Sequence, residues 1–580
     1  MATRNVESKR GKAAASIDRR DFCAAVGGLG LASTAFPSAL WARAQEEGAI
    51  TKQTIVEAEK LAGLEFTDAE RELLLEDIGN LLESYEEIRK LNIGNEVPPA
   101  LDFNPIPPGT VLPEQPRPSG PPKASLNKPA IETDLAFMPV TQLSQLIRER
   151  KITSTELTSM YLARLRKHDE SLKCVISLTT ERALEEANRA DREIAAGNYR
   201  GPLHGIPWGA KDLLAARKYR TTWGARPYES QVIDADATVT ERLSAAGAVL
   251  IAKLTLGALA WGDVWFGGKT RNPWNPEQGS SGSSAGPASA TAAGLTGFAI
   301  GSETWGSIVS PCSRCGSTGL RPTFGRVSRH GAMALSWTMD KLGPISRGVE
   351  DCALVLDAIY GPDGLDTTVI DHPFAWNRDL DVTKLRVGYL KSAFEQEPEE
   401  EEERAKEMHA INLRTLEELE KTGIKLIPFE LPEFPVGALS FILNAEAAAA
   451  FDELTRSNRD DLLVRQIKDA WPNTFRQNRF VPAVEYIQAN RARRILMRKM
   501  AEVMEEVDVY VCPPYGGNNL LLTNLTGHPC VVLPNGFREN GTPTSITFNG
   551  KLFGEAQLLA VAKAYQDATD YHLKRPPLFV

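Results

Sequence analysis

Histidine is scarce in this chain: seven residues in 580, namely His168, His204, His330, His372, His409, His528 and His572. No spacing marks any of them as a catalytic partner, so an imidazole-activated serine has no candidate base. Positive charge is short as well. Sixty-six Lys and Arg against 75 Asp and Glu leave a net charge of −9, which argues against nucleic acid as a direct ligand, since phosphate binding generally needs a basic patch. Long apolar runs are missing. The stretch after Phe22 is broken by glycines and Pro37 and is too weak for a transmembrane helix. Cysteine is sparse at seven residues. Cys23 precedes the apolar stretch and so cannot be a lipoprotein anchor following one. Cys312-Ser-Arg-Cys315 has the spacing of half a zinc site or a redox dithiol, but no second ligand pair or thioredoxin-like context accompanies it. These thiols are expected to be buried and free.

What is present in quantity is glycine and small hydroxyl residues, concentrated between Gly279 and Thr323. This block holds Ser283 and Ser307 in glycine-flanked turns, with Lys211 upstream in GIPWGAKDLL. A serine needs a nearby base to attack a carbonyl, and the resulting oxyanion needs backbone N–H donors, which glycine-rich turns expose. A flexible linker has the same composition. Two features exclude it: LTGFAI (295–300) reads as a buried strand ending in a turn at GSETWGS, and ASATAAG suits a helix packed closely on a neighbour. GSSAG formally matches a nucleophile elbow centred on Ser284, but the residues before it, NPWNPEQGS, read as a loop where that motif needs a strand.

Several colinear blocks then resemble the amidase signature hydrolases over roughly 140–568. They include GPLHGIPWGAKD, DADATVTERLSAAGAVLIAK, the Gly/Ser block, GLRPTFGRVS, MDKLGPISR and NLTGHPCVVLPNGF. That family uses a Ser-cisSer-Lys triad whose serines stand 24 positions apart, as Ser283 and Ser307 do here. The resemblance makes Ser307 the nucleophile, Ser283 the bridging serine on a cis peptide, and Lys211 the base. It places the oxyanion hole on the backbone N–H groups of Thr304, Trp305, Gly306 and Ser307. An unperturbed lysine titrates near pH 10.4, so the role requires Lys211 to be buried and neutral. The chain departs from the family at Trp305, where a glycine is usual, at Val309, where an arginine is common, and at Ala258, where a glutamate often sits. These departures bear on substrate class more than on mechanism.

The expected organisation has four parts. Residues 1–44 resemble a twin-arginine export signal, with Arg19-Arg20 ahead of the apolar stretch and Ala42-Arg43-Ala44 as a cleavage pattern, which implies a periplasmic or exported protein. Residues 45–95 form a helical arm, its second helix opened by a capping box at Thr67–Glu70, resembling the belt-like C subunit of the glutamyl-tRNA amidotransferase. Residues 96–135 are a proline-rich linker running extended over a surface. Residues 136–580 are the catalytic domain, an α/β amidase signature fold with a mixed central sheet layered by helices. Within it VDVYVCPP reads as β-rich, EQEPEEEEER (395–404) as a solvated helix start, and 441–463 as loops that shape the pocket. Trp261, Trp265 and Phe266 are core aromatics or the lining of an acyl pocket.

The resemblance implies hydrolysis of the C–N bond of a small-molecule amide without metal or organic cofactor. It extends to aryl amides, carbamates, esters and amidated peptides. An amidotransferase subunit taking ammonia from glutamine is the alternative, which an export signal disfavours. A silent scaffold of the same fold is disfavoured by the joint presence of Lys211, Ser283 and Ser307.

Overall fold

Eleven segments of four to eight residues pair into one sheet: Val175–Leu178 (β1), Pro207–Lys211 (β2), Val249–Leu254 (β3), Phe298–Glu303 (β4), Thr318–Arg321 (β5), Lys341–Ser346 (β6), Val387–Leu390 (β7), Leu426–Phe429 (β8), Val509–Cys512 (β9), Cys530–Phe537 (β10) and Pro543–Gly550 (β11). The computed structural model describes residues 50–73, 75, 78, 88, 90–91, 93–99, 101–120, 126–399 and 403–580. The export-signal segment expected over 1–44 lies outside them, as does 400–402 of the acidic run. The chain divides into two compact units, 1–93 and 94–580.

In the larger unit the strand order is β1-β3-β2-β4-β6-β5-β10-β11-β9-β7-β8. The sheet is mixed as expected: β2 runs parallel to both β3 and β4, β7 parallel to β8 and β9, and the remaining pairs are antiparallel. Strands β2, β3, β4 and β6 are buried along their whole length, as central strands covered on both faces must be. Each fully buried Val, Ile or Leu among them, such as Val249, Ile251 and Leu254, contributes about 1.5–3 kcal/mol. The helices Thr180–Ala195, Ala285–Ala292, Val349–Ile359 and Glu555–Asp567 pack against the sheet. Among the described residues no helix is long and apolar enough to cross a membrane.

The first five residues of ASATAAG fall in the helix Ala285–Ala292, every residue of which is buried, and the last two follow its end. The strand expected from LTGFAI starts three residues later and runs on to Glu303, because the Leu295 amide is still closing that helix onto the Ala290 carbonyl. Small residues can extend it: a Cβ on Gly301 would lie 2.8 Å from Ser284 Oγ, so glycine there lets the serine turn press against the strand. VDVYVCPP supplies β9. The segment 441–463 is not looped. Its alanine-rich start forms the helix Phe441–Ala450, followed by Asp452–Arg456, in line with alanine's high helix propensity.

The proline-rich segment is extended but pinned. Phe103 lies edge-on to Phe324 at 5.0 Å and beneath Arg493 at 3.7 Å, while the Ser119 amide donates to the Trp376 carbonyl at 3.1 Å. In the smaller unit the helix Lys52–Ala62 carries a capping box from Thr51 and ends at Gly63 in the left-handed conformation. The next helix opens as the sequence predicts, Glu70 N donating to Thr67 Oγ1 at 3.3 Å and Thr67 N to Glu70 Oε2 at 2.6 Å. Arg71 then forks onto Glu59 with two 2.8 Å bonds.

Candidate active site

Adjacent parallel strands β2 and β4 end side by side, which is where open α/β sheets usually place their chemistry. Lys211 closes β2, and Ser302 and Glu303 close β4. The Lys211 side chain is fully buried. Its Nζ lies 2.8 Å from Ser283 Oγ, 3.0 Å from Ser284 Oγ, 2.8 Å from Ser302 Oγ and 3.4 Å from the Ser302 carbonyl. Burial pushes its pKa well below the usual lysine value, and the more distant Asp340 and Glu303 only partly offset this. Burial lowers the pKa of the neighbouring Lys253 too, but that amine is paired, meeting Asp212 at 2.8 Å with both side chains fully buried.

Ser283 follows Gly282 across a cis peptide bond, as the family resemblance implies. A Cβ on Gly282 would come within 1.8 Å of the Gly262 carbonyl, so only glycine fits this approach. Ser307 sits half-buried in the turn between β4 and the helix Val309–Cys315. Its carbonyl accepts the Ser284 amide at 3.0 Å, which ties the Ser283 segment to the turn.

That turn is organised by a residue sequence reasoning left without a role. Glu303 Oε2 accepts the amides of Ile308 and Val309 at 2.8 and 2.9 Å, and Oε1 accepts Arg321 at 2.7 Å and Asn524 at 2.9 Å. Burial would raise this carboxyl, but Arg321 and these donors hold it down at about 2. Among the described residues the amides of Trp305, Gly306 and Ser307 donate to no protein acceptor. Thr304 is anchored through its hydroxyl, which donates to the half-buried Asp340. Gly306 has φ +88°, whereas Trp305 lacks a positive φ and its indole is 45% exposed, so a side chain replaces the usual glycine without backbone strain.

Ser302 and Ser284 were the other unforeseen members. Contrary to the loop reading, Asn275–Gly279 before Ser284 is a short strand, paired with Arg271–Asn272 in a separate ribbon. The elbow fails on burial instead. The Ser284 hydroxyl is enclosed, donating to the Ser302 carbonyl at 3.0 Å and accepting from the Ser302 amide at 3.1 Å. Cys312 and Cys315 are buried free thiols whose pKa burial raises. A cavity of about 320 Å³ borders this site: Ser302, Thr304 and Asp340 line it, while Lys211, Ser283 and Ser307 lie outside its lining. Its aromatic lining comes from Trp223 and Trp337, not from Trp261, Trp265 or Phe266; Trp261 instead stacks under Arg465 at 4.2 Å and Trp265 meets Phe266 edge-on.

The Amidase family matches residues 156–520, and the chain belongs to that family. It is similar to the A subunit of the glutamyl-tRNA(Gln) amidotransferase of Moorella thermoacetica, 34% identical over 77% of this chain and 100% of the relative. The corresponding protein of a Roseiflexus species is also 34% identical, over 74% and 96%. Among solved structures it resembles the native peptide amidase of Stenotrophomonas maltophilia, with a TM-score of 0.67 and 29% identity over 77% of this chain and 99% of that one.

Proposed function

We propose that the chain hydrolyses the C–N bond of a small amide through an acyl-enzyme on Ser307, with Ser283 as proton relay and Lys211 as base. One observation carries the reading: a fully buried lysine whose amine meets Ser283 Oγ at 2.8 Å. The hydrogen-bond inventory around Nζ suits a neutral amine. The Ser284 proton is committed to the Ser302 carbonyl, so Ser284 Oγ takes one amine proton and Ser302 Oγ the other, which leaves the lone pair facing Ser283. Ser283 gives its proton to Lys211 as it takes one from Ser307, and the Ser307 oxygen attacks the carbonyl. The amides of Thr304, Trp305, Gly306 and Ser307 receive the oxyanion. The protons then return along the same path to the leaving amine, and water releases the acid.

The likeness to amidotransferase subunits supports a second reading, ammonia release from glutamine for transfer. An export signal over 1–44 favours the hydrolase, since aminoacyl-tRNA is confined to the cytoplasm. Ammonia release from a panel of simple amides, with and without glutamine, separates the two: the hydrolase reading expects turnover of simple amides and requires no glutamine. Mass spectrometry after fluorophosphonate treatment tests the nucleophile. The expected adduct sits on Ser307 and disappears in Ser307→Ala; an adduct on Ser284, or none, defeats the assignment.

A further inference from the structure

The cavity beside the site is walled partly by residues that precede the family's own match. Pro98 and the largely exposed Leu101 line it together with Trp223, Trp337, Ser302 and Thr304. The segment carrying Pro98 and Leu101 is fastened by one side chain. Asn95 Nδ2 donates to the Ala334 carbonyl at 2.9 Å and Asn95 Oδ1 accepts the Ala334 amide at 2.8 Å, a two-bond clasp on the irregular run that leads to Trp337. Nδ2 also reaches the Ala450 carbonyl at 3.4 Å.

The charge in the lining is lopsided. Glu96, Asp102, Asp340 and Asp366 border the cavity, against one arginine and no lysine. That arginine, Arg329, is fully engaged: it holds Asp366 at 2.9 and 3.2 Å, Thr368 at 2.7 Å and the Trp337 carbonyl at 2.6 Å. Beyond the Arg329–Asp366 pair, a carboxylate entering the cavity meets three acids and no unpaired guanidinium or ammonium, whereas an apolar group meets two indoles, two prolines and aliphatic side chains.

We infer that Asn95, Glu96, Pro98, Pro99, Leu101 and Asp102 form one wall of the substrate cavity and, with this charge pattern, restrict it to amides bearing an apolar group and no carboxylate. The inference rests on the acyl-enzyme reading and narrows its substrate class. Asn95 is a positioning residue: it touches no reacting atom and acts by holding Pro98 and Leu101 against the opening. Glutamine, which carries an α-carboxylate, is a poor fit.

The test uses the full chain and three amides: acetamide, benzamide and the benzamide carrying a para-carboxylate. The wild type is expected to favour benzamide over its carboxylated counterpart by at least about tenfold in kcat/KM. In Asn95→Ala and in Leu101→Ala the benzamide-to-acetamide ratio of kcat/KM drops about fivefold, carried by KM; a general loss of folding lowers both substrates together and leaves the ratio intact. In the double variant Glu96→Gln, Asp102→Asn the discrimination against the carboxylated amide shrinks about threefold. Equal use of the two aryl amides by the wild type, or ratios that stay put in both wall variants, overturns the inference. Failure of the wild type to cleave acetamide and benzamide alike, with no Ser307 adduct, instead removes the acyl-enzyme reading beneath it.

Discussion

Lys211→Met lowers amide turnover by about 10⁴-fold, the largest effect expected of any single change outside the nucleophile. Methionine fills much of the volume of the lysine stem but offers Ser283 no lone pair, so the relay has no terminus. The wild type carries a second signature. Because burial pushes the Lys211 pKa well below the usual lysine value, kcat/KM rises with pH along a limb set by that depressed value and is flat well before pH 10. The same shift appears in stability. Between the folded pKa and the unfolded value near 10.4 the unfolded chain binds the extra proton, so stability climbs with pH across that window, is fully present above it, and is lost as pH falls toward the folded pKa. Lys211→Met removes that component of the climb. Denaturant unfolding of both proteins at pH 7 and pH 10, alongside a pH–rate profile, measures both effects. A wild-type limb lying near pH 10.4, or a Met variant that keeps its turnover, eliminates Lys211 as the base.

The roles assigned to Lys211, Ser283 and Ser307 come from the resemblance of several colinear blocks to the amidase signature hydrolases, while short local runs account for the setting of these residues. Lys211 lies in a segment with apolar neighbours, PWGAKDLLA, and burial follows from its place on a central strand. The Gly/Ser block read as core because LTGFAI and ASATAAG carry the patterns of a buried strand and a close-packed helix. What escaped was long-range. Ser302 and Ser284 meet Lys211 only because β2 and β4 are neighbours, and strand order is not encoded in either segment alone. Asn524 reaches Glu303 across 221 positions. The proline-rich segment looked like a spacer by composition; its docking depends on single side chains, Phe103 under Arg493 and Asn95 on Ala334, which no periodicity announces. The helix at Phe441–Ala450 was missed because its amphipathic signal is faint although its alanine content is high.

Glu303→Gln is the change that tests how this long-range scaffold serves the chemistry. The carboxylate receives four N–H donors, two on each oxygen: Arg321 and Asn524 on one, the Ile308 and Val309 amides on the other. A glutamine keeps one oxygen and turns an NH₂ toward the second pair, donor against donor, while Arg321 stays buried without its counter-charge. Breaking such a buried pair costs about 3–5 kcal/mol, read as a lower denaturant midpoint. The loosened turn carries Ser307 and the amides assigned to the oxyanion, so kcat falls by about 10²-fold as well. Destabilisation alone does not identify a positioning role, but the pH limb does. The Glu303 charge raises the Lys211 pKa against the effect of burial, so removing it moves the acidic limb of kcat/KM to lower pH even as kcat drops. A limb that stays fixed or shifts upward, in a variant that still folds, severs Glu303 from the lysine; a variant as stable and as fast as the wild type removes it from the site altogether.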